Sequence, residues 1–513
     1  MIKVLWIDDE IDFFNSHIVF LEKRGFQINK ALSGNEGLLF LQKNKADIIL
    51  IDQNMPGLAG TETIKILKEK FDSIPIVMIS QNTDENVIDN ALGQQVKDYL
   101  LKPVNPNQIL LSLKKIFSNK DLIKSKTVEN YQKKYQEINN EILECISFED
   151  WQLLYKKLVK WEILLSEIDD NEVVEILLSQ KNYANNIFCS FVEKNYENAL
   201  GDPSFVTSIN IFKKHVFPHI SSNQSTLFIL IDNFRFDQWK IIEPFIIDHY
   251  NVEDEFIYSS ILPTTTQYSR NSIFSGLSPL EIMKQYPNYW SNEFDSLNKN
   301  KFENELLTEQ LKRLGLDIKH KYLKLFESKD SKSFNTNISN LNKFNLTTII
   351  YNFMDLISHA KKDVRFIKEI ANSDKAYRDL TLTWFKNSQL IETIKKSSEL
   401  GYKIILTSDH GMINVFKPSK ISGSKNISSN MRYKTSDQIL AEPKDVIEFK
   451  NPNKIKLPSY SINSSFVFAR SNSFFVYPNN YNEYVSMYNN TYQHGGVSMQ
   501  EMFVPFLVMN PKL

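Results

Sequence analysis

The 513-residue chain contains two cysteines, Cys145 and Cys189. So few cysteines argue against a disulfide framework and indicate a reducing compartment. The sequence also lacks any apolar run close to the roughly 18 residues that a membrane-spanning helix needs. We therefore expect a cytoplasmic protein in which both thiols fill core space.

The chain has no excess of either charge, because 60 lysines and arginines stand against 61 aspartates and glutamates. A protein of this balance does not coat nucleic acid through a general positive field, so a nucleotide ligand must bind in a local groove. With 42% hydrophobic and 24% charged residues, the composition is that of a globular protein. Its length predicts about three domains.

Residues 1–118 alternate five short apolar strands with helix-length segments, a pattern that predicts a parallel, doubly wound α/β sheet. Polar side chains follow successive strands and should meet at one edge of the sheet: Asp8, Asp9, Asp52, Ser80 and Lys102. Carboxylates are suitable ligands for Mg²⁺. Asp52, at the end of the central strand, is predicted to accept a phosphoryl group whose oxygens Ser80 and Lys102 bind. The turn after Asp52 is predicted to present the Asn54 carbonyl to the metal.

These motifs resemble the receiver domain of bacterial response regulators in order and spacing. The resemblance implies a flavodoxin-like fold, a bound Mg²⁺ and phosphorylation of Asp52 by a sensor histidine kinase. Tyr99, three residues before Lys102, matches the aromatic position that moves inward in this family when Ser80 engages the phosphoryl group. The alternative is a degenerate receiver that keeps the fold without the chemistry.

Residues 119–205 change to a Lys/Glu/Asn-rich sequence with a helical period, which predicts a helical bundle that connects two α/β domains. Apolar residues recur at three- and four-residue steps from Trp151 to Ile168 and define one face of a helix. Ser147, three residues before Asp150, is a candidate helix cap. The boundary with the last domain is predicted near Gly201-Asp-Pro203.

Residues 206–513 return to the strand-and-helix pattern and predict a second α/β domain, in which 279–345 forms an insertion or cap. Acids and histidines that could bind two divalent metals stand at strand ends or in short turns: Asp232, Asp355, His359, Asp409, His410 and His494. Mixtures of imidazole and carboxylate suit Zn²⁺ and, less exclusively, Mn²⁺. Two-metal sites of this kind cleave phosphate esters.

The same domain contains a run of three threonines, Thr264 to Thr266, that could supply a nucleophile. Together these motifs resemble the PglZ-type branch of the alkaline phosphatase superfamily. The resemblance implies that Asp232, Thr266, Asp409 and His410 hold one metal, that Asp355, His359 and His494 hold the other, and that Thr266 attacks phosphorus. Asn271 and Arg432 are candidate contacts to the substrate phosphate, although the favoured interpretation of Arg432 is an exposed loop residue.

The succession of receiver, helical connector and PglZ-type domain resembles the PorX-type response regulators of type IX protein secretion. This resemblance implies a phosphodiesterase acting on linear or cyclic oligonucleotides, with a secretion-system component or sigma factor as a candidate partner. We further predict that phosphorylation of Asp52 repacks the Tyr99 face of the receiver and shifts the chain toward a homodimer. A second hypothesis makes the last domain a metal-stabilised protein-binding module without turnover. A third, a phosphomonoesterase or phosphomutase, would use the same metal ligands and nucleophile.

Overall fold

The computed structural model describes residues 2–81, 96–168, 171–295, 299–325, 328–352, 373–423 and 428–512. The chain divides into two compact units, Met1–Asn130 and Tyr131–Leu513. Across the described residues, no helix has the length and apolarity that a bilayer span requires. The finer division into 1–118, 119–205 and 206–513 remains a prediction.

The first unit contains the predicted five-stranded parallel sheet, in the order β2-β1-β3-β4-β5. Its strands are β1 (Ile2–Ile7), β2 (Phe26–Ala31), β3 (Ile48–Asp52), β4 (Ile76–Ser80) and β5 (Asp98–Leu101), and helices Asn15–Glu22, Gly34–Lys43 and Gly60–Phe71 connect them. Val4 and Trp6 enter the core on one face of the sheet, and Leu5 and Ile7 enter the core on the other. Burial on both faces explains why the strands are continuous apolar runs.

Three helices follow the sheet: Pro106–Glu144, Phe148–Ser166 and Asn171–Ala199. The predicted helix cap is present, since the Ser147 hydroxyl accepts from the Asp150 amide and the Asp150 carboxylate accepts from the Ser147 amide. Trp151 and Leu158 of the predicted apolar stripe are buried. The helical character predicted for the connector is therefore confirmed.

The second unit is built on a six-stranded mixed sheet, in the order β7-β19-β10-β6-β9-β8. Its strands, with those of the smaller sheets between them, are β6 (Thr226–Ile231), β7 (Tyr250–Ser259), β8 (His320–Leu325), β9 (Leu346–Tyr351), β10 (Lys403–Thr407), β11 (Ile413–Val415), β12 (Lys417–Gly423), β13 (Tyr433–Ser436), β14 (Ile439–Ala441), β15 (Val446–Phe449), β16 (Ser465–Ala469), β17 (Ser473–Val476), β18 (Thr491–Gln493) and β19 (Phe503–Pro511). β10, β6, β9 and β8 run parallel, whereas β19 runs antiparallel to β10 and β7.

Helices surround this sheet and carry several of the residues described below. They are Phe236–Ile246, Thr266–Ser275, Pro279–Gln285, Glu303–Arg313, Ser328–Thr336, Asp374–Asn387, Gln389–Glu399, Tyr481–Tyr488 and Met499–Met502. The stretch 279–345, predicted as an insertion or cap, contributes strand β8 to the edge of the central sheet, so that prediction was incomplete. Five of the six residues of β8 are only partly buried, and such a strand lacks the long apolar run by which β6, β9 and β10 were predicted.

Candidate functional site

The acidic residues of the receiver converge at the carboxyl ends of β1 and β3. Asp8, Asp9 and Asp52 each place one carboxylate oxygen within 4.8 Å of the others. The ammonium group of Lys102 lies 3.2 Å from Asp8 Oδ2 and 3.0 Å from Asp52 Oδ2. Burial raises the pKa of the Asp52 carboxyl above its usual value, and the nearby Lys102 opposes this shift. Three clustered carboxylates are a donor set that fits Mg²⁺.

The remaining predicted receiver residues surround this cluster. Ser80 is buried at the end of β4, where its hydroxyl donates to the side-chain oxygen of Gln53. Asn54 is exposed in the turn after β3. Tyr99 is partly buried in β5 and packs against the core of the sheet. The sequence analysis did not single out Gln53, which engages the hydroxyl predicted to bind a phosphoryl oxygen.

The second cluster forms in the last domain at the carboxyl ends of β6 and β10, which are neighbouring parallel strands. Asp232, Asp409 and His410 are buried, and each places one ligand atom within 4.8 Å of the others. Asn233 turns the chain after β6 with a φ of 63°, a left-handed conformation that asparagine tolerates well. The backbone amide of Asn233 then donates to Asp409 Oδ1 at 3.2 Å, and this hydrogen bond joins the turns after β6 and β10.

In both described histidines of the predicted metal site, a hydrogen bond at Nδ1 fixes the orientation of the ring. His410 Nδ1 lies 3.1 Å from the carbonyl oxygen of Gly411, and His494 Nδ1 lies 3.2 Å from that of Thr264. A carbonyl oxygen accepts, so Nδ1 donates and Nε2 carries the lone pair that a metal needs. The two rings stack with their centroids 4.3 Å apart. Imidazole nitrogen and carboxylate oxygen are donors that fit Zn²⁺.

The three neighbouring threonines have different surroundings. Thr266 begins a helix, and its hydroxyl lies 3.1 Å from His410 Nε2 and 3.5 Å from Asp232 Oδ1. The Thr264 hydroxyl instead donates to the carbonyl of Gly496 at 2.9 Å and accepts from the Gly495 amide. Of the three, Thr266 is therefore the residue whose hydroxyl meets the candidate ligands.

The structure adds Arg270 and Glu303 to this site, which the sequence analysis did not identify. Arg270 Nη1 donates to Asp232 Oδ2 at 2.7 Å, and its Nε donates to Glu303 Oε1 at 2.5 Å. Glu303 also pairs with Lys324 at 2.6 Å. Arg270 lies four residues after Thr266, a spacing that puts both on one helix face and could have indicated it.

Two further predictions concern the substrate phosphate, and the geometry favours neither. Arg432 is buried in a two-bond ion pair with Glu501, with nitrogen–oxygen distances of 3.0 and 2.6 Å. Its guanidinium is thus committed to an internal carboxylate and is not an exposed loop group either. The Asn271 amide donates to the carbonyl oxygens of Gln267 and Lys299. Asp355 and His359, predicted ligands of the second metal, lie outside the described residues.

Glycines next to the ligands are required by close backbone approach. A Cβ atom on Gly411 would lie 2.0 Å from the carbonyl oxygen of Gln500. Gly495 has a φ of +118°, and a Cβ there would meet the Tyr433 ring at 2.8 Å. The Asp-His-Gly and His-Gly-Gly patterns therefore have a steric basis.

Three family models match successive parts of the chain. The response regulator receiver domain matches residues 4–114, and the PorX response regulator linker domain matches residues 121–200. The BREX system PglZ alkaline phosphatase-like domain matches residues 211–509, more than half of the chain. The order of the three models is the order predicted from the sequence motifs.

Several curated proteins are similar to the receiver segment. Protein PilH of Pseudomonas aeruginosa is 30% identical over 120 residues, which cover 23% of this chain and 99% of PilH. Sensory transduction protein RegX3 of Mycolicibacterium smegmatis is 28% identical over 118 residues, covering 23% of this chain and 50% of RegX3. The matched segment thus spans half of RegX3. Among solved structures, chemotaxis response regulator CheY4 of Vibrio cholerae is 30% identical, covering 23% of this chain and 98% of CheY4, with a TM-score of 0.22.

The receiver and PglZ matches agree with the two sets of motifs, and the PorX linker match accounts for the helices between them. The architecture combines a flavodoxin-like receiver, a helical linker and a mixed-sheet domain of the phosphoesterase superfamily fold. The chain therefore belongs to the PglZ alkaline phosphatase-like family and has the domain architecture of a PorX-type response regulator.

Proposed function

We propose that phosphorylation of Asp52 controls a two-zinc phosphodiesterase domain in which Thr266 is the nucleophile. The observation that carries this proposal is the position of the Thr266 hydroxyl, 3.1 Å from His410 Nε2 and 3.5 Å from Asp232 Oδ1. A structural metal site needs ligands but no hydroxyl at its centre. A nucleophile beside buried acid and imidazole groups is the arrangement that phosphoryl transfer requires.

The chemistry of the donor set supports the choice of metals. Asp232, Thr266, Asp409 and His410 would hold one Zn²⁺, and His494, with Asp355 and His359, would hold the second; Mn²⁺ fits the same donors less well. When bound, the ions would lower the pKa of the hydroxyl and offset negative charge on the phosphoryl oxygens.

The chain's own part in the reaction follows from the helix that Thr266 begins. Thr266 Oγ1, as the alkoxide, bonds to phosphorus while the bond from phosphorus to one leaving alcohol breaks, and that alcohol takes up a proton as it departs. The intermediate is a threonyl phosphodiester that keeps the second ester group of the substrate. Water then cleaves the bond between phosphorus and Thr266 Oγ1, which releases the phosphomonoester and restores the Thr266 hydroxyl. The first amides of an α-helix have no partners within the helix, and at the start of Thr266–Ser275 they favour the negative charge of a phosphate.

The receiver supplies the control in this proposal. A sensor kinase would transfer a phosphoryl group to Asp52, and Asp8, Asp9 and the Asn54 carbonyl would hold the Mg²⁺ that offsets its negative charge. The phosphoryl oxygens would engage Lys102 and Ser80, and Ser80 would release Gln53 as Tyr99 moves inward. We propose that this change shifts the chain toward a homodimer, since a ligand can shift a two-state element only through contacts that differ between the states.

The PorX-type architecture supports linear or cyclic oligonucleotides as substrates and type IX secretion as the process, with a secretion component or sigma factor as partner. The test compares hydrolysis of bis- and mono-p-nitrophenyl phosphate by zinc-loaded wild type, Thr266→Ala and the control Thr265→Ala. The Thr265 hydroxyl makes no hydrogen bond with the described residues. We expect faster cleavage of the diester and at least a 100-fold loss in Thr266→Ala alone.

Equal rates for wild type and Thr266→Ala, both with zinc bound, would refute the enzyme and favour the protein-binding module. Faster cleavage of the monoester would favour a phosphomonoesterase. The same assay with and without beryllofluoride, on wild type and Asp52→Asn, tests the control. If beryllofluoride changed dimerisation or rate equally in both proteins, Asp52 would not be the input.

A further inference from the structure

One face of the linker helix Asn171–Ala199 lies against the loops that carry the candidate nucleophile and a candidate metal ligand. Three residues make these contacts, at spacings of four and seven positions that place them on one side of the helix: Asn185, Cys189 and Tyr196. Asn185 and Tyr196 are each 1% exposed. A helix that served as a spacer would need no buried polar groups at these positions.

The first set of contacts holds the segment after His494. The Asn185 amide nitrogen donates to Gln500 Oε1 at 2.8 Å, and its oxygen accepts from the Met499 amide at 2.9 Å. The Cys189 sulfur lies 3.2 Å from the carbonyl oxygen of Val497. Val497, Met499 and Gln500, in the segment after His494, are therefore bound to the linker helix as well as to the rest of the PglZ-like domain.

The second contact holds the segment before Thr266. The backbone amide of Leu262 donates to the Tyr196 hydroxyl at 2.9 Å. Two residues later, Thr264 connects this segment to the other loop, because its hydroxyl bonds Gly496 and its carbonyl bonds His494. The nucleophile segment and the His494 segment are thus joined to each other and to one helix.

We propose that Asn185 and Tyr196 are positioning residues of the active site, and that the linker helix sets the distance between Thr266 and His494. This inference rests on the function proposed above. It makes the linker a part of the catalytic unit, so that displacing the helix alters zinc binding and turnover without any change in the ligands themselves. Partners that orient metal ligands typically change metal affinity about 10- to 100-fold when they are lost.

The test uses the full chain with Asn185→Leu and Tyr196→Phe. Matched controls are Asn186→Leu and Tyr183→Phe, which change the same residue types at exposed positions of the same helix. The measurements are zinc affinity from chelator competition, kcat and KM for bis-p-nitrophenyl phosphate, and the melting temperature without zinc. We expect Asn185→Leu to weaken binding of one zinc about tenfold, and Tyr196→Phe to lower kcat about tenfold with KM unchanged within twofold.

The controls should match the wild type in every measurement. The inference is overturned if Tyr196→Phe keeps wild-type kcat and zinc affinity, or if it loses kcat only in proportion to a lower melting temperature. Tyr196→Phe removes a single hydroxyl, so it keeps the test decisive if Asn185→Leu does not fold. Failure of the proposed function gives a different result. A wild type that binds zinc without turnover would refute the enzyme, and the zinc affinity of Asn185→Leu would still test whether the linker helix positions the metal ligand.

Discussion

Arg270 Nη1 donates to Asp232 Oδ2 at 2.7 Å, while Oδ1 of the same carboxylate lies 3.5 Å from the Thr266 hydroxyl. The two oxygens of one acid thus face different partners. Arg270 is itself held by Glu303, so the carboxylate is oriented by a buried chain of charges. Such a partner can leave one oxygen of a metal ligand correctly aimed.

Arg270→Met should weaken zinc binding about 10- to 100-fold, because Asp232 loses the group that orients it. Chelator competition measures the affinity, and Lys312→Met, an exposed position on a nearby helix, is the control. Tighter zinc binding in Arg270→Met would show instead that the guanidinium competes with the metal for Asp232.

Asp52→Asn should stabilise the receiver in Mg²⁺-free buffer. Burial raises the pKa of Asp52, so the folded receiver binds its proton more tightly than the unfolded chain does. Stability from this group is therefore present below the unfolded pKa and is lost as the pH rises through the folded pKa. Asparagine removes that loss, and hydrogen exchange of the receiver strands at pH 7 measures it. Asp72→Asn, at an exposed acid, should change nothing.

Arg432→Met should destabilise the last domain by about 3 to 5 kcal/mol, since it leaves the Glu501 carboxylate buried without its partner. Thermal or denaturant unfolding measures the loss. Arg432→Met combined with Glu501→Gln should recover part of it. Were Arg432 a substrate contact, the single variant would raise KM and leave the unfolding free energy unchanged.

Gly411→Ala should reduce the zinc content of the purified protein. The new Cβ would lie 2.0 Å from the Gln500 carbonyl oxygen, so the turn after His410 must move. Metal analysis of the purified variant provides the measurement, and Gly201→Ala is the control. A Cβ atom on Gly201 would meet one atom, the Asn198 carbonyl oxygen at 3.3 Å, and Gly201 has no positive φ. Unchanged zinc in Gly411→Ala would mean that the turn can shift without disturbing the ligand.

The strands that could be predicted from the sequence are those buried on both faces, such as β6 and β10. Strand β8 lies at a sheet edge with partly exposed side chains, and its lysines hide the strand pattern. The same reasoning explains the ligands. Asp232 and His410 follow apolar strands, whose ends must meet in a parallel sheet, so their proximity could be predicted.

Contacts between distant helices could not be predicted in this way. Helical periodicity indicates that Trp151 is buried, but it does not indicate what covers the helix. The partner of Arg270 depends on how one helix turns toward β6, and that of Arg432 depends on where the short helix Met499–Met502 places Glu501. Both arginines are buried. Because arginine side chains are mostly exposed in folded proteins, the sequence alone does not indicate this burial.

Cys189 makes the contact between the linker and the His494 loop chemically observable. Its sulfur is buried between Val497 and Ser471, and burial raises the pKa of the thiol to about 12. A thiol in that state reacts with alkylating reagents only when the helix separates from the loop. In a Cys145→Ser background, the labelling rate of Cys189 would therefore measure how often the linker helix separates from the His494 loop. A labelling rate that changed with beryllofluoride would show that the state of the receiver alters this separation.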